Sequence, residues 1–424
     1  MKVDCRIDIR NLTRVEGHGN ILIRIHDGRV QEARWEVVET PRFFEAMLVG
    51  KRWENVPWIC GRICGICSVG HTLASIRAIE HAFGIVPSGL TEKLRLLLKH
   101  METLQSHILH LYFLSAPDYL AAGSVFPLIE SSPDVVARAM RIKQLANDLV
   151  DSVGGRRMHP TRTVVGGFTM LPEKEELVPF RDRLKKAVDD LLMTAVLFGS
   201  FAVPEFSRET EYVSLKGVAD YPFIGGDLVS TDGVLRGEDE YREMTNEYIV
   251  PQSTAKWARL SRASFAVGAL ARLNNNFDLL HPLAKEVALN FRLRPVQHNP
   301  FMNVTAQLVE CVHVVMRSMD LLEELLDGEL REARPKVSPK AGAGVGAVEV
   351  PRGILYHYYE FDDTGHVRKC DCVIPTGQNH ANIQHDLEEL AADCLRKGMD
   401  DGRIELLAQM LVRAYDPCIS CSVH

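Results

Sequence analysis

The sequence predicts a mainly α-helical protein with small β lobes, an α+β architecture around a large helical bundle core. Three observations carry this. Apolar residues recur at helical spacing over most of the middle of the chain. Strict alternation is confined to residues 7–38 and to short runs at 353–361 and 366–374. One stretch, 335–352, collects Pro335, Pro339, Gly342, Gly344, Gly346 and Pro351 with few large side chains. A chain of 424 residues could hold two or three domain-sized units. No repeat, low-complexity tract or flexible linker divides it, so one unit over 1–424 is expected. Within it fall a β-rich lobe at 1–50, a helical body at 51–334, a loop and β lobe at 335–379, and C-terminal helices at 380–424.

Taken in order, Ile21, Ile23 and Ile25 alternate with polar neighbours and Asp27-Gly28 supplies a tight turn. A second extended run begins at Val30 and ends near Trp35 and Val37, which completes a β-hairpin. From Thr72 the period becomes helical. Thr91 followed by Glu92 reads as the cap of a helix in which Leu94, Leu97, Leu98, Met101, Leu104, Ile108 and Leu111 share a face. Helices are expected to fill 133–153, 173–199, 239–292, 303–332 and 380–414, and 335–352 is expected to be loop.

Composition excludes several classes. Hydrophobic residues at 46% and charged residues at 25% are ordinary for a soluble globular protein. The net charge of −7, without a long run of either sign, argues against nucleic-acid binding. The longest apolar stretch, 191–203 between Asp190 and Pro204, is shorter than the roughly 20 residues of a membrane span, so a buried helix is expected there. The start, Met1-Lys2-Val3-Asp4-Cys5-Arg6, is charged and no apolar signal region follows it. A cytoplasmic protein is expected, or one exported only with a partner that carries the signal.

Ten cysteines are too sparse for a disulfide scaffold, and clustered cysteines in a reducing compartment more often bind metal or do redox chemistry. Cys60-Gly-Arg-Ile-Cys64-Gly65-Ile66-Cys67-Ser-Val-Gly-His71 stands near the start of the helical body. Asp416-Pro417-Cys418-Ile-Ser-Cys421-Ser-Val-His424 stands at the end. Each contains Cys-x-x-Cys followed by His. The spacing lets two thiolates of one turn converge on one ion, and two such pairs supply four sulfurs. Thiolates favour zinc, nickel, copper and iron. Spacing alone leaves open a shared metal site, a structural zinc site and two unrelated buried pairs. Zinc modules usually draw their ligands from a few dozen residues, whereas 350 residues lie between Cys67 and Cys418.

Arg62-x-Cys64-Gly65-x-Cys67-x-x-x-His71 and Asp416-Pro417-Cys418-x-x-Cys421-x-x-His424 resemble the two signatures of nickel–iron hydrogenase large subunits. Arg14-Val15-Glu16-Gly17-His18, Pro41-Arg42-Phe43-Phe44-Glu45, Pro117-Asp118-Tyr119, Pro351-Arg352-Gly353 and Pro375-Thr376-Gly377-Gln378-Asn379 agree, so the resemblance spans essentially the whole chain. It lies nearest the cytoplasmic, cofactor-coupled branch, which includes sulfhydrogenases and heterodisulfide-reductase-linked enzymes. The resemblance implies the hydrogenase large-subunit fold and reversible heterolytic cleavage of dihydrogen. Family precursors carry a peptide beyond the last His, so a chain ending at His424 is expected to be the matured form. Quinone-site subunits of respiratory complexes share the ancestry but lack the four cysteines.

Residue roles follow from the same resemblance. Cys64 and Cys418 would be terminal nickel ligands, and Cys67 and Cys421 would bridge nickel to iron, whose other positions hold carbon monoxide and cyanide. Pro351 and Arg352 would line this centre. Cys418 is expected to accept the proton. Arg352, charged under almost all conditions, would organise hydrogen bonds near the cyanides, with Asp118 and Asp416 as its ionic partners. Glu16 would be the next proton station. Glu45, His424 and a backbone carbonyl before Pro375, assigned to Cys372, would hold magnesium or iron.

Other residues are given ordinary roles. Cys5, Cys60, Cys311, Cys370, Cys394 and the Cys372 side chain read as plain thiols, Cys60 lying just outside the signature. His107 and His110 either bond around the site or are satisfied core histidines, and His71 is expected to orient a ligand thiolate. The glycine-rich run from Gly342 lacks the context of a nucleotide loop and is expected to pass the metal pocket as a loop. No nicotinamide, flavin or deazaflavin site is recognised, and no cysteine set remains for iron–sulfur clusters. Electrons would therefore leave through a small subunit carrying such clusters. Further electron-transfer subunits, of flavin or heterodisulfide-reductase type, are expected beyond it.

Overall fold

The computed structural model describes residues 5–424, so the charged start at 1–4 lies outside the described residues. Strands β1 (Cys5–Ile9), β2 (Gly19–His26) and β3 (Arg29–Val37) form an antiparallel sheet in that order. Asp27 and Gly28 both adopt positive φ, 53° and 70°, as the tight turn of a twisted hairpin requires. The inward face, Ile21, Ile23 and Trp35, is fully buried. Trp35 donates its backbone N–H to Gln384 Oε1 at 2.8 Å and its indole N–H to His380 Nδ1 at 3.0 Å. The first lobe is thereby fastened to a C-terminal helix.

The body contains α1 (Ser68–Phe83), α2 (Gly89–Leu109), α3 (Pro133–Gly154), α4 (Lys174–Gly199) and α5 (Met302–Asp327). Helix α2 packs between α3 and α5, and α5 also packs on α4. The start of α2 differs from expectation. Ser88, in extended conformation, is the cap and its hydroxyl accepts the Thr91 N–H at 3.0 Å, so Thr91 lies inside the first turn. The expected helix over 239–292 breaks into Tyr241–Thr245, Ala269–Asn276 and Pro282–Asn290. Asn246 stops the first at φ 35° and Gly268 precedes the second at φ 123°. Between them Ala255, Trp257 and Ala258 bury from irregular chain, which mimics helical periodicity.

The 191–203 stretch is only half buried. Leu191 and Phe198 face the core, whereas Met193 and Val196 are exposed. No helix among the described residues is long and apolar enough to cross a membrane.

The predicted loop at 335–352 is corrected most. Residues Gly342–Val350 form β4, paired antiparallel with β5 (Gly353–Phe361), which pairs with β6 (Val367–Val373). The glycines belong to the strand because β4 lies directly on α1. A Cβ on Gly344 would stand 2.2 Å from the Ala78 carbonyl oxygen, and one on Gly346 2.1 Å from that of Ala74. Composition alone makes this run look like loop; its smallness serves a close helix–strand contact. Gly346→Ala is expected to destabilise the protein by about 3 kcal/mol or more, since backbone rather than a mobile side chain must yield. A lowered thermal midpoint of the purified protein would register this, and an unchanged one would contradict the contact.

Helices α6 (Pro375–Arg396) and α7 (Asp401–Ala414) complete the fold.

Candidate metal centre

Four segments distant in sequence meet where the two Cys-x-x-Cys turns face each other. Cys64 and Cys67 lie in the turn between the short helix Val56–Cys60 and α1, and the Cys67 N–H donates to Cys64 Sγ at 3.3 Å. Cys418 and Cys421 follow α7. Asp416, at φ 50°, reverses the chain before Pro417, and Ile419–Ser422 forms one more helical turn. The Ile419 N–H donates to the Glu16 carbonyl at 2.9 Å, so the N-terminal segment runs alongside the C-terminal one. Gly17 permits the crossing: a Cβ there would lie 2.8 Å from the Ser420 nitrogen. Arg42 donates to the carbonyls of both Ile63 and Ser420, and Thr376 Oγ1 accepts the Cys418 N–H at 3.0 Å. The two turns are thus bolted to one another and to α6.

The sulfurs converge accordingly. Cys64 and Cys418 are 3.7 Å apart, and the sulfurs of Cys418 and Cys421 are in direct contact. Cys64, Cys418 and Cys421 place their sulfurs within 4.8 Å of one another, as do Cys67 and Cys421 together with a His71 ring nitrogen. Thiolates about 2.3 Å from one ion stand nearly 4 Å apart, so the Cys64–Cys418 separation suits a shared metal. All four cysteines are buried. The Cys67 thiol, then the Arg352 charge and the Cys67 N–H, pull the Cys64 pKa down against its burial.

Arg352, in the β4–β5 turn, stands beside these sulfurs. Its Nε donates to the Asp416 carbonyl at 2.7 Å and its Nη2 to Asp416 Oδ1 at 3.0 Å. Its Nη1 is buried without a protein partner, a donor left over for a non-protein acceptor in the pocket. Burial works against the guanidinium charge, but Asp416, Cys67 and Cys64 outweigh it and raise its pKa.

Glu16 takes the Ser420 N–H at 3.1 Å and also the Ser420 hydroxyl, which sets its carboxylate beside the Cys418 turn. Pro351 is buried and its carbonyl accepts from Arg272 Nη2 at 3.2 Å, which braces the turn carrying Arg352.

Asp118 departs from its expected place. It pairs with Arg413 at 2.8 Å and with Arg14, and it makes no ion pair with Arg352. The π-helical turn His110–Ser115 sets the short helix Ala116–Tyr119 against α7 and the N-terminal segment. Asp118 therefore ties down the segments that bear Glu16 and Asp416. The second holder of Asp416 is Gln307, whose Nε2 donates to Oδ2 at 3.2 Å and whose Oε1 meets His110. Sequence reasoning misses Gln307 because one amide in an apolar helix carries no signal. His110 is a core histidine bonded to the Arg413 carbonyl at 2.7 Å, and His107 one bonded to Glu310 at 2.8 Å.

Glu45, Cys372 and His424 gather a short way off. The Cys372 N–H donates to Glu45 Oε1 at 2.8 Å, and that oxygen lies 3.5 Å from His424 Nε2. His424 Nδ1 lies 3.1 Å from the Cys421 carbonyl, and its buried Nε2 has no hydrogen-bond partner. Burial opposes the Glu45 charge, but His424, Lys256 and the Cys372 N–H hold its carboxyl below the usual range. A carboxylate and an unpartnered imidazole nitrogen at this separation suit a cation between them.

Comparison with known proteins agrees with this geometry. The family model described as nickel-dependent hydrogenase matches residues 42–128 and 256–424, and one described as HoxL-like matches 6–40. The chain is 36% identical to the alpha subunit of sulfhydrogenase 1 from Pyrococcus furiosus, over 99% of this chain and 97% of that protein. It is 31% identical to an F420-non-reducing hydrogenase subunit of Methanothermobacter thermautotrophicus, over 99% and 94%. Among solved structures, the NAD+-reducing [NiFe]-hydrogenase in the H2-reduced state aligns with a TM-score of 0.89 at 28% identity, covering 99% of both chains.

Proposed function

Because the chain belongs to the nickel-dependent hydrogenase family, we propose that its four converging cysteines hold a nickel–iron pair at which dihydrogen is split heterolytically. The chain is the catalytic large subunit of an oxidoreductase that acts on hydrogen. The observation that carries the finer reading is the meeting of two Cys-x-x-Cys turns beside a buried arginine with one unpartnered N–H. In this reading Cys64 and Cys418 would be terminal nickel ligands, Cys67 and Cys421 would be shared with iron, and the iron would carry carbon monoxide and cyanide. When bound, such a pair supplies redox chemistry and the electron-accepting half of dihydrogen cleavage.

The chain's own residues manage the proton. Cys418 sulfur is assigned as the first acceptor, because its backbone runs alongside Glu16. Arg352 keeps its own hydrogen, held charged by Asp416, and offers Nη1 to a diatomic ligand. Glu16, gripped by Ser420 and only partly buried, passes the proton outward. Glu45, His424 and the Cys372 carbonyl hold magnesium or iron, which locks the C-terminal segment against the body. Electrons leave through a small subunit with iron–sulfur clusters, in a larger cytoplasmic assembly with flavin or heterodisulfide-reductase-type subunits. The relatives' names as subunits support a multi-subunit assembly.

Metal analysis of the purified complex tests the reading: nickel and iron near one each are expected, and zinc alone would sink it. Glu16→Gln is expected to retain both metals while slowing hydrogen–deuterium exchange by about 10²-fold or more, the scale of one general acid–base group. Exchange at the unaltered rate would remove Glu16 from the path.

A further inference from the structure

Buried polar side chains run in two parallel rungs from α2 through α5 to the β4–β5 turn. His110 and His107 on α2 face Gln307 and Glu310 on α5. Gln307 holds the Asp416 carboxylate, onto which the Arg352 side chain is forked. Glu310, three residues further and so on the same face of α5, holds Arg272. Arg272 belongs to the helix Ala269–Asn276.

The Arg272 guanidinium is saturated. Its Nε and Nη2 each donate to a Glu310 oxygen at 2.6 Å, and its Nη1 donates to Glu349 Oε2 at 2.8 Å. The other two hydrogens go to backbone, from Nη1 to the Val350 carbonyl at 3.0 Å and from Nη2 to the Pro351 carbonyl at 3.2 Å. Every N–H of the fork thus has its own acceptor. Arg272, Glu310 and Glu349 all lie out of solvent. An ion cluster buried so deeply adds little net stability, because desolvation offsets its attraction. The helix start closes on the same turn. A Cβ on Gly268 would lie 3.4 Å from the Arg352 carbonyl oxygen, and one on Gly353 2.9 Å from the Gly268 nitrogen.

We propose that Arg272, held by Glu310, is a positioning residue that fixes the Val350 and Pro351 carbonyls and thereby the aim of Arg352 Nη1 into the cysteine pocket. This rests on the metal reading above. The Arg352 side chain has two anchors, Asp416 at its tip and its own backbone at its root. One face of α5 sets both, through Gln307 and Glu310. A swing at the root turns the unpartnered Nη1 away from the pocket even while Nε stays on the Asp416 carbonyl. Arg272 acts through Arg352, so loss of its fork should cost nothing further once Arg352 itself is altered.

Three variants of the hydrogenase complex test this: Arg272→Lys, Arg352→Lys and the two combined. Lysine keeps the charge at 272, but its single nitrogen cannot reach both carboxylates and both carbonyls. Arg272→Lys is expected to retain nickel and iron and to lower turnover by about 10–10²-fold, the cost of a misplacement of about 1 Å. Its cyanide stretching bands should shift in the direction that Arg352→Lys shifts them. The combined variant should be no slower than Arg352→Lys alone, since effects transmitted through one residue do not add. Unmoved bands in Arg272→Lys, or losses that multiply in the combined variant, would overturn the proposal. If Arg272→Lys loses its metals, Glu310→Gln takes its place, with the same band shift expected. Metal loss in both would overturn the proposal by making the cluster a folding element. Absence of nickel and of these bands from the unaltered complex would instead overturn the metal reading itself.

Discussion

Replacing Cys418 by alanine is expected to abolish hydrogen turnover and nickel retention while leaving the fold in place. The sulfur removed stands 3.7 Å from Cys64 and in contact with Cys421, so it is central to the cluster that the metal requires. What seats this segment is backbone: the Cys418 N–H on Thr376, the Ile419 N–H on Glu16, and Arg42 on the Ser420 carbonyl. None of these depends on the Cys418 side chain. Loss of an outer partner of a metal ligand costs about 10–100-fold in metal affinity, and loss of a ligand itself should exceed that. Turnover, nickel content and the thermal midpoint, measured on one preparation, separate the effects. Full activity in Cys418→Ala would refute the assignment.

Arg352→Lys should lower turnover by about 10²–10³-fold, the scale of removing one fixed donor from a charge-stabilising site. Lysine keeps the charge but not the planar fork that meets both the carbonyl and the carboxylate of Asp416. Asp416 would retain only Gln307, and the donor now supplied by Arg352 Nη1 would be lost or displaced. Nickel content should stay near normal, because no sulfur moves. Unaltered turnover would show that guanidinium geometry is immaterial here.

Much of this is legible in the chain itself, and the residues show why. Cysteines at fixed spacing carry information locally, so the two ligand turns are readable without knowing how they meet. The same holds for the alternation of β2 and β3 and for the long amphipathic helices. Partners chosen across the fold are not readable. Matching motifs point Asp118 to Arg352, yet the π turn before it directs the carboxylate to Arg14 and Arg413. Gln307 looks like an ordinary member of a helix until α5 is packed. The glycines of β4 mislead for a related reason, since their meaning lies in α1, more than 260 positions earlier.

The crossing of Glu16-Gly17 over residues 418–420 has a consequence for the order of assembly. With that crossing closed, all four sulfurs are buried. Loading is therefore expected to be easier while the tail is undocked, with docking as a stopper. The contacts that seal the centre span some 400 residues, and contacts so distant in sequence form slowly.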